Sequence, residues 1–172
     1  MFPAYSLLSA FGEAAPLNLD LQREDRVLSF PFHFLNNNHA MNVKPQNYGW
    51  SEFYDRLIDL YKYSFTSKKI FSRFRANDLA IAKGLNVVRS ISSEGWGRLK
   101  YHRHIRHLLD TDRSIRDFFE GETVEIPSFY IDRIRRELGE FWEYLPDGAI
   151  HHDPLAYLKK TDQQDYIPLA TA

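Results

Sequence analysis

The stretch Ser-Glu-Phe-Tyr-Asp-Arg-Leu-Ile-Asp-Leu-Tyr-Lys-Tyr-Ser-Phe, from Ser51 to Phe65, decides the fold class. Phe53, Leu57, Leu60 and Tyr61 fall on one stripe, and Tyr54, Ile58 and Phe65 fall on another. That spacing belongs to a helix; a half-buried strand would alternate apolar and polar residues. Two apolar stripes predict a helix buried on more than one side. Ser51 carries the side-chain oxygen that a helix N-terminus needs for its free backbone N–H groups.

The same period continues downstream. Ser67 opens a second helix with Ile70, Phe71 and Phe74, and a third carries Ile81, Leu85 and Val88 and runs to Ile91. Gly95 and Gly97, either side of Trp96, predict a break or tight joint. Leu99 to Leu109 resumes the pattern with Tyr101, Ile105 and Leu108. Thr111 is the expected cap of a short helix using Ile115, Phe118 and Phe119, which Gly121 ends. Pro127 and Ser128 start a last helix, with a stripe of Tyr130, Ile134, Leu138, Phe141, Trp142 and Leu145 and a stop at Pro146-Asp147-Gly148.

Upstream, residues 1–47 hold four prolines and little helical period. Arg26 to Phe30 alternates weakly before Pro31, consistent with one short strand. The expected architecture is therefore mainly α: an irregular N-terminal segment (1–47) with at most short strands, a five- or six-helix bundle-like domain (48–153), and a polar tail (154–172).

Composition narrows the chemistry. The 172 residues contain no cysteine, which excludes disulfides, thiolate zinc sites, cysteine nucleophiles and any cluster held by this chain's own thiolates. With 44% apolar and 15% aromatic residues the chain has enough material for a core. No window approaches the roughly 20 apolar residues of a membrane span. No lysine or arginine precedes Arg23, unlike the basic start of a signal peptide, so a cytoplasmic protein is expected.

The net charge is −1, yet the segment from Lys62 to Arg106 holds eleven basic residues against two acidic ones, a local balance of +9. Lys68, Arg73, Arg98, Lys100 and Arg103 within it are candidate partner-binding residues. Interleaved Tyr63, Phe65, Phe71, Phe74 and Tyr101 suggest a nucleic-acid footprint, but they also fit the helix stripes and are read as core. Seven histidines raise the question of a metal. His102 and His104 point about 200° apart on a helical wheel, and no His-Glu-x-x-His pattern occurs, so no metal ligands are assigned. In Asn36-Asn37-Asn38-His39-Ala40-Met41-Asn42, the side chains of Asn37, Asn38, His39 and Asn42 are candidate substrate contacts, offering amide and imidazole groups beside apolar Phe32, Phe34 and Leu35. The alternative is that they satisfy the turn's own backbone. No catalytic residue is assigned.

The order Arg26-Val27-Leu28, Phe30 to Leu35, Asn37-Asn38-His39 and Val43-Lys44-Pro45, followed by Trp50 to Phe65 and Ser67-Lys68-Lys69-Ile70-Phe71-Ser72-Arg73, resembles a known family. It is similar to the C-terminal region of radical S-adenosylmethionine proteins of the B12-binding-domain type, over roughly Leu17 to Asp153. The chain departs from the family in lacking its three-cysteine motif and the Pro-Gly-Thr turn, near which Ala15-Pro16-Leu17 stands. The resemblance implies an accessory domain on the substrate side of an active site built elsewhere, as a fragment or the partner of a split gene. On that reading S-adenosylmethionine, the [4Fe–4S] cluster and any cobalamin belong to a companion radical S-adenosylmethionine catalytic segment or subunit. The alternative is a free-standing α-helical binding module for an anionic partner, an RNA or an acidic protein.

Overall fold

A computed structural model describes residues 5, 7, 16–31, 41–146 and 148–151. The protein is mainly helical, and its described residues fall into two units: Tyr5 with Pro45–Glu120, and 7–44 with 121–151.

The first unit contains five α-helices. We label Trp50–Ser64 α2, Ser67–Arg75 α3, Ala80–Ile91 α4, Arg98–Thr111 α5 and Arg113–Glu120 α6, with α1 in the second unit. Helix α2 buries Trp50, Tyr54, Ile58 and Tyr61, and Phe65 just beyond it, so one stripe rather than two carries the core. Phe53 and Leu57 are half-buried and Leu60 is exposed. The stripe packs on α5, where His102, Ile105 and Leu109 are buried. Phe119 of α6 stands edge-on to Trp50 with ring centroids 4.6 Å apart. The indole Nε1 of Trp50 donates to the Phe119 carbonyl at 2.6 Å, satisfying both groups inside the core.

Two helix starts differ from the sequence expectation, one by two residues and one by a single residue. Helix α2 begins at Trp50 behind Gly49, and Ser51 makes no cap. Helix α6 is capped by Asp112 in place of Thr111: its Oδ1 accepts from the backbone N–H of Ser114 at 2.9 Å and from the Ser114 hydroxyl at 2.8 Å. Thr111 is the last residue of α5 and its hydroxyl turns back to the His107 carbonyl.

Helices α3 and α4 pack on each other as a helical hairpin joined by a short loop, and the joint predicted at Gly95-Trp96-Gly97 is a π-helical turn, Ser93–Gly97, leading into α5. Arg73 ties this corner together. Its guanidinium donates to the Ser64 carbonyl at 2.7 Å and to Ser90 Oγ at 3.3 Å. Ser90 in turn donates to the Asn86 carbonyl at 2.6 Å.

The second unit contains α1 (Pro16–Arg23) and α7 (Ser128–Leu138), followed by a 3-10 turn over Gly139–Tyr144. After α1, the short strand expected at Arg26 to Phe30 is reduced to one antiparallel bridge, Val27 to Val43, with Leu28 N–H donating to the Asn42 carbonyl at 2.7 Å. Leu28, Phe30, Met41 and Val43 are buried there, and Phe30 meets Tyr130 of α7 edge-on at 5.0 Å. Helix α7 ends seven residues short of the stripe that runs to Leu145, because Gly139 adopts φ 55° and ψ −124°, which only glycine reaches without strain. Phe141 is consequently exposed. Trp142 is half-buried, lying under the Arg135 guanidinium at 4.7 Å, so neither residue joins a core. Among the described residues no helix is long and apolar enough to cross a membrane.

Candidate functional site

The helix pattern of α4 places Ile81, Leu85 and Val88 on one stripe, with Ile91 one turn beyond Val88. These side chains are 79%, 55%, 57% and 50% exposed, although their period predicts a core face. Gly84, between them, has open space where a side chain would stand. The stripe borders a hollow of about 480 Å³ lined by Ile70, Phe71 and Phe74 of α3, Val87 and Ile91 of α4, and Trp96 of the π turn. Exposed apolar residues occurring singly are ordinary, but residues gathered on one hairpin mark an interaction surface.

The hollow has a rigid wall. Trp96 is 47% exposed, yet its Nε1 donates to the Phe65 carbonyl at 3.2 Å, which holds the ring at the mouth of the hollow. The Phe71 and Phe74 rings lie nearly parallel, 6.4 Å apart. Both were expected in the core; they are exposed because α3 buries no residue and, among the described residues, packs mainly on α4 with a short contact to α2.

Cations fringe this face. The Arg75 guanidinium lies 5.0 Å from the Phe71 ring centre and Lys83 Nζ lies 5.7 Å from that of Phe74, both within cation–π range. One turn after Leu85 on α4, Arg89 pairs with Glu94 at 2.6 Å. Arg75 and Lys83 have no carboxylate within ion-pair distance among the described residues.

The residues singled out from sequence are dispersed. Lys68 is exposed at the start of α3, and Lys100 and Arg103 are exposed on α5. Arg73 is half-buried, and that burial lowers its guanidinium's proton affinity from the ordinary value. It acts as an internal tie. Arg98 is also half-buried, donating to the Tyr5 carbonyl at 3.1 Å. Asn42 is buried, with its carbonyl in the bridge to Leu28. Asn37, Asn38 and His39 lie outside the described residues. The apolar face itself was missed as a site, although its residues were read as a helix stripe.

The buried titratable cluster lies elsewhere, in the core between α2 and α5. His102 stands between the rings of Tyr54, Tyr61 and Tyr101 at 6.0, 5.1 and 5.5 Å. Burial raises the Tyr54 hydroxyl well above the ordinary phenol range, with Tyr101 adding to it. Burial raises Tyr61 as well, while Arg98 pulls it the other way. Tyr54, Tyr61 and His102 are closed off from solvent, and Tyr101 is half-buried at the edge of the cluster. Among the described residues no group of three or more His, Asp or Glu side chains is arranged to hold a metal ion.

Compared with protein-family models, with curated proteins and with solved structures, the chain matches none.

Proposed function

We propose that this protein is a helical docking module that binds another polypeptide through the α3–α4 hairpin. The carrying observation is the exposed apolar stripe of Ile81, Leu85 and Val88, together with the hollow beside Trp96 that the stripe meets at Ile91. Aliphatic side chains there outnumber the rings, which suits burial against protein side chains better than base stacking. Rim cations are the charge pattern of a protein interface, whose centre is depleted of charge. The resemblance to radical S-adenosylmethionine proteins supplies one candidate partner: a companion catalytic segment carrying the three cysteines, which would hold the [4Fe–4S] cluster and S-adenosylmethionine and any cobalamin.

The test is site-specific photo-crosslinking in the cells that make the protein, with a photoreactive phenylalanine analogue at Leu85 and, as control, at Arg136 on α7. A discrete polypeptide adduct at Leu85, absent at Arg136, is the expected result. Nucleic acid in the adduct, or equal labelling from both positions, would overturn the reading. A companion radical S-adenosylmethionine protein would be recognised directly by mass spectrometry of the adduct.

A further inference from the structure

We infer that the partner segment received by the α3–α4 face is an acidic amphipathic helix. This deepens the docking reading and rests on it. Three observations on the face define the occupant.

The first is shape. The floor is an open hollow of about 480 Å³ between two helices, bordered by Trp96, whose Nε1 donates to the Phe65 carbonyl. A cleft of that size accepts a few large side chains, and helix-in-groove recognition presents them at i, i+3 or i+4 and i+7. On α4 the hollow is lined by Val87 and Ile91, one helical turn apart, and the exposed stripe of Ile81, Leu85 and Val88 meets it at Ile91.

The second is charge. Arg75 of α3 and Lys83 of α4 lie over the Phe71 and Phe74 rings without a carboxylate partner, and Lys68 is exposed at the start of α3. An occupant with Glu or Asp flanking its apolar stripe would complete these cations. A basic one would meet them with like charge, which costs affinity and slows encounter.

The third observation weighs against two other occupants. A second copy seated on the same face would bring a second Arg75 and Lys83, and so more charge of the same sign, to the interface. A lipid surface would press on Ile81 and Leu85 but offer no fixed side chain to the hollow that begins at Ile91, forgoing contacts that a protein side chain makes.

Selection of a displayed library of random peptides, each roughly 16 residues and so about 24 Å as a helix, on the intact protein tests the inference without presupposing a sequence. The doubly substituted Phe71→Asp, Leu85→Asp protein serves as counter-selection; both residues are exposed, so the fold is kept, as circular dichroism would verify. The expected winners carry apolar residues at helical spacing with net negative charge. Their affinity should fall at least about tenfold when Arg75 and Lys83 are both changed to Glu, a loss of about 1.4 kcal/mol. Winners that are basic or extended, or that bind the charge-reversed protein equally well, would overturn the acidic helix. So would tight binding to phosphatidylserine vesicles lost on Leu85→Asp, or a dimer in sedimentation equilibrium lost on the same change. In the crosslinking experiment, a trapped partner peptide that is basic or extended leaves the docking reading standing and removes this inference alone.

Discussion

The carbonyl of Ser90 stands where a Cβ on Gly95 would have to go, with the Ser90 carbonyl carbon and α-carbon 2.7 and 2.9 Å from that position. The obstruction is backbone, so no side chain can swing aside to relieve it. Ser90 is itself fully buried and fastened to Arg73 and Asn86.

Gly95→Ala should therefore force the π turn off α4, at a cost of about 1–3 kcal/mol for overpacking. Because the turn carries Trp96, the same change should also loosen its bond to Phe65 and shift the tryptophan emission to the red. Gly97→Ala is the milder control, since its nearest atom is the Ser92 carbonyl oxygen at 3.2 Å. Thermal melts compare them. Identical melting of Gly95→Ala and the parent would refute the close approach.

Exposure on the α4 stripe makes an unusual stability prediction for apolar residues. Ile81→Ser and Leu85→Ser should each alter the unfolding free energy by no more than about 0.5 kcal/mol, as for ordinary surface changes. Ile105→Ala, in the core of the same unit, should cost about 2–5 kcal/mol. Urea unfolding measures all three. A loss of several kcal/mol at Leu85 would mean that the stripe is covered within the protein.

Asp112 gives a pH-dependent prediction. The Ser114 hydroxyl, followed by the backbone N–H groups of Ser114 and Ile115, lowers its carboxyl below the ordinary value. A lowered folded-state pKa means the stabilisation is present above the unfolded carboxylate pKa and is lost as pH falls through the folded one. Asp112→Ala should cost about 1 kcal/mol near neutral pH, the usual worth of an N-cap. The gap between variant and parent should shrink at about pH 2. A gap of equal size at both pH values would assign the effect to something other than the ionised cap.

The two tryptophans Trp50 and Trp142 should behave differently. Trp50→Phe removes the donor to the Phe119 carbonyl and leaves that oxygen unpaired in the core, costing about 1–3 kcal/mol before any loss of packing. Trp142→Ala removes a half-buried ring that contacts the Arg135 guanidinium and should cost about 1 kcal/mol or less. Denaturant unfolding of both variants checks the order. The reverse order would place Trp142 in a core.

Helical period made the mainly α class readable from sequence alone, and six α-helices lie between Trp50 and Leu145 among the described residues. The double-glycine joint at Gly95-Trp96-Gly97 was equally readable, because residues without side chains are what a tight backbone crossing requires. The absence of cysteine settled what this chain's own thiolates can hold. Which apolar stripe becomes core was decided by the tertiary structure. Tyr54 and Ile58 on α2 and Ile81 and Leu85 on α4 have the same i, i+4 spacing, yet the first pair is buried and the second exposed. Period describes one helix by itself, whereas burial depends on whether another element arrives to cover the stripe: α5 covers α2, and no described element covers the outer side of α4.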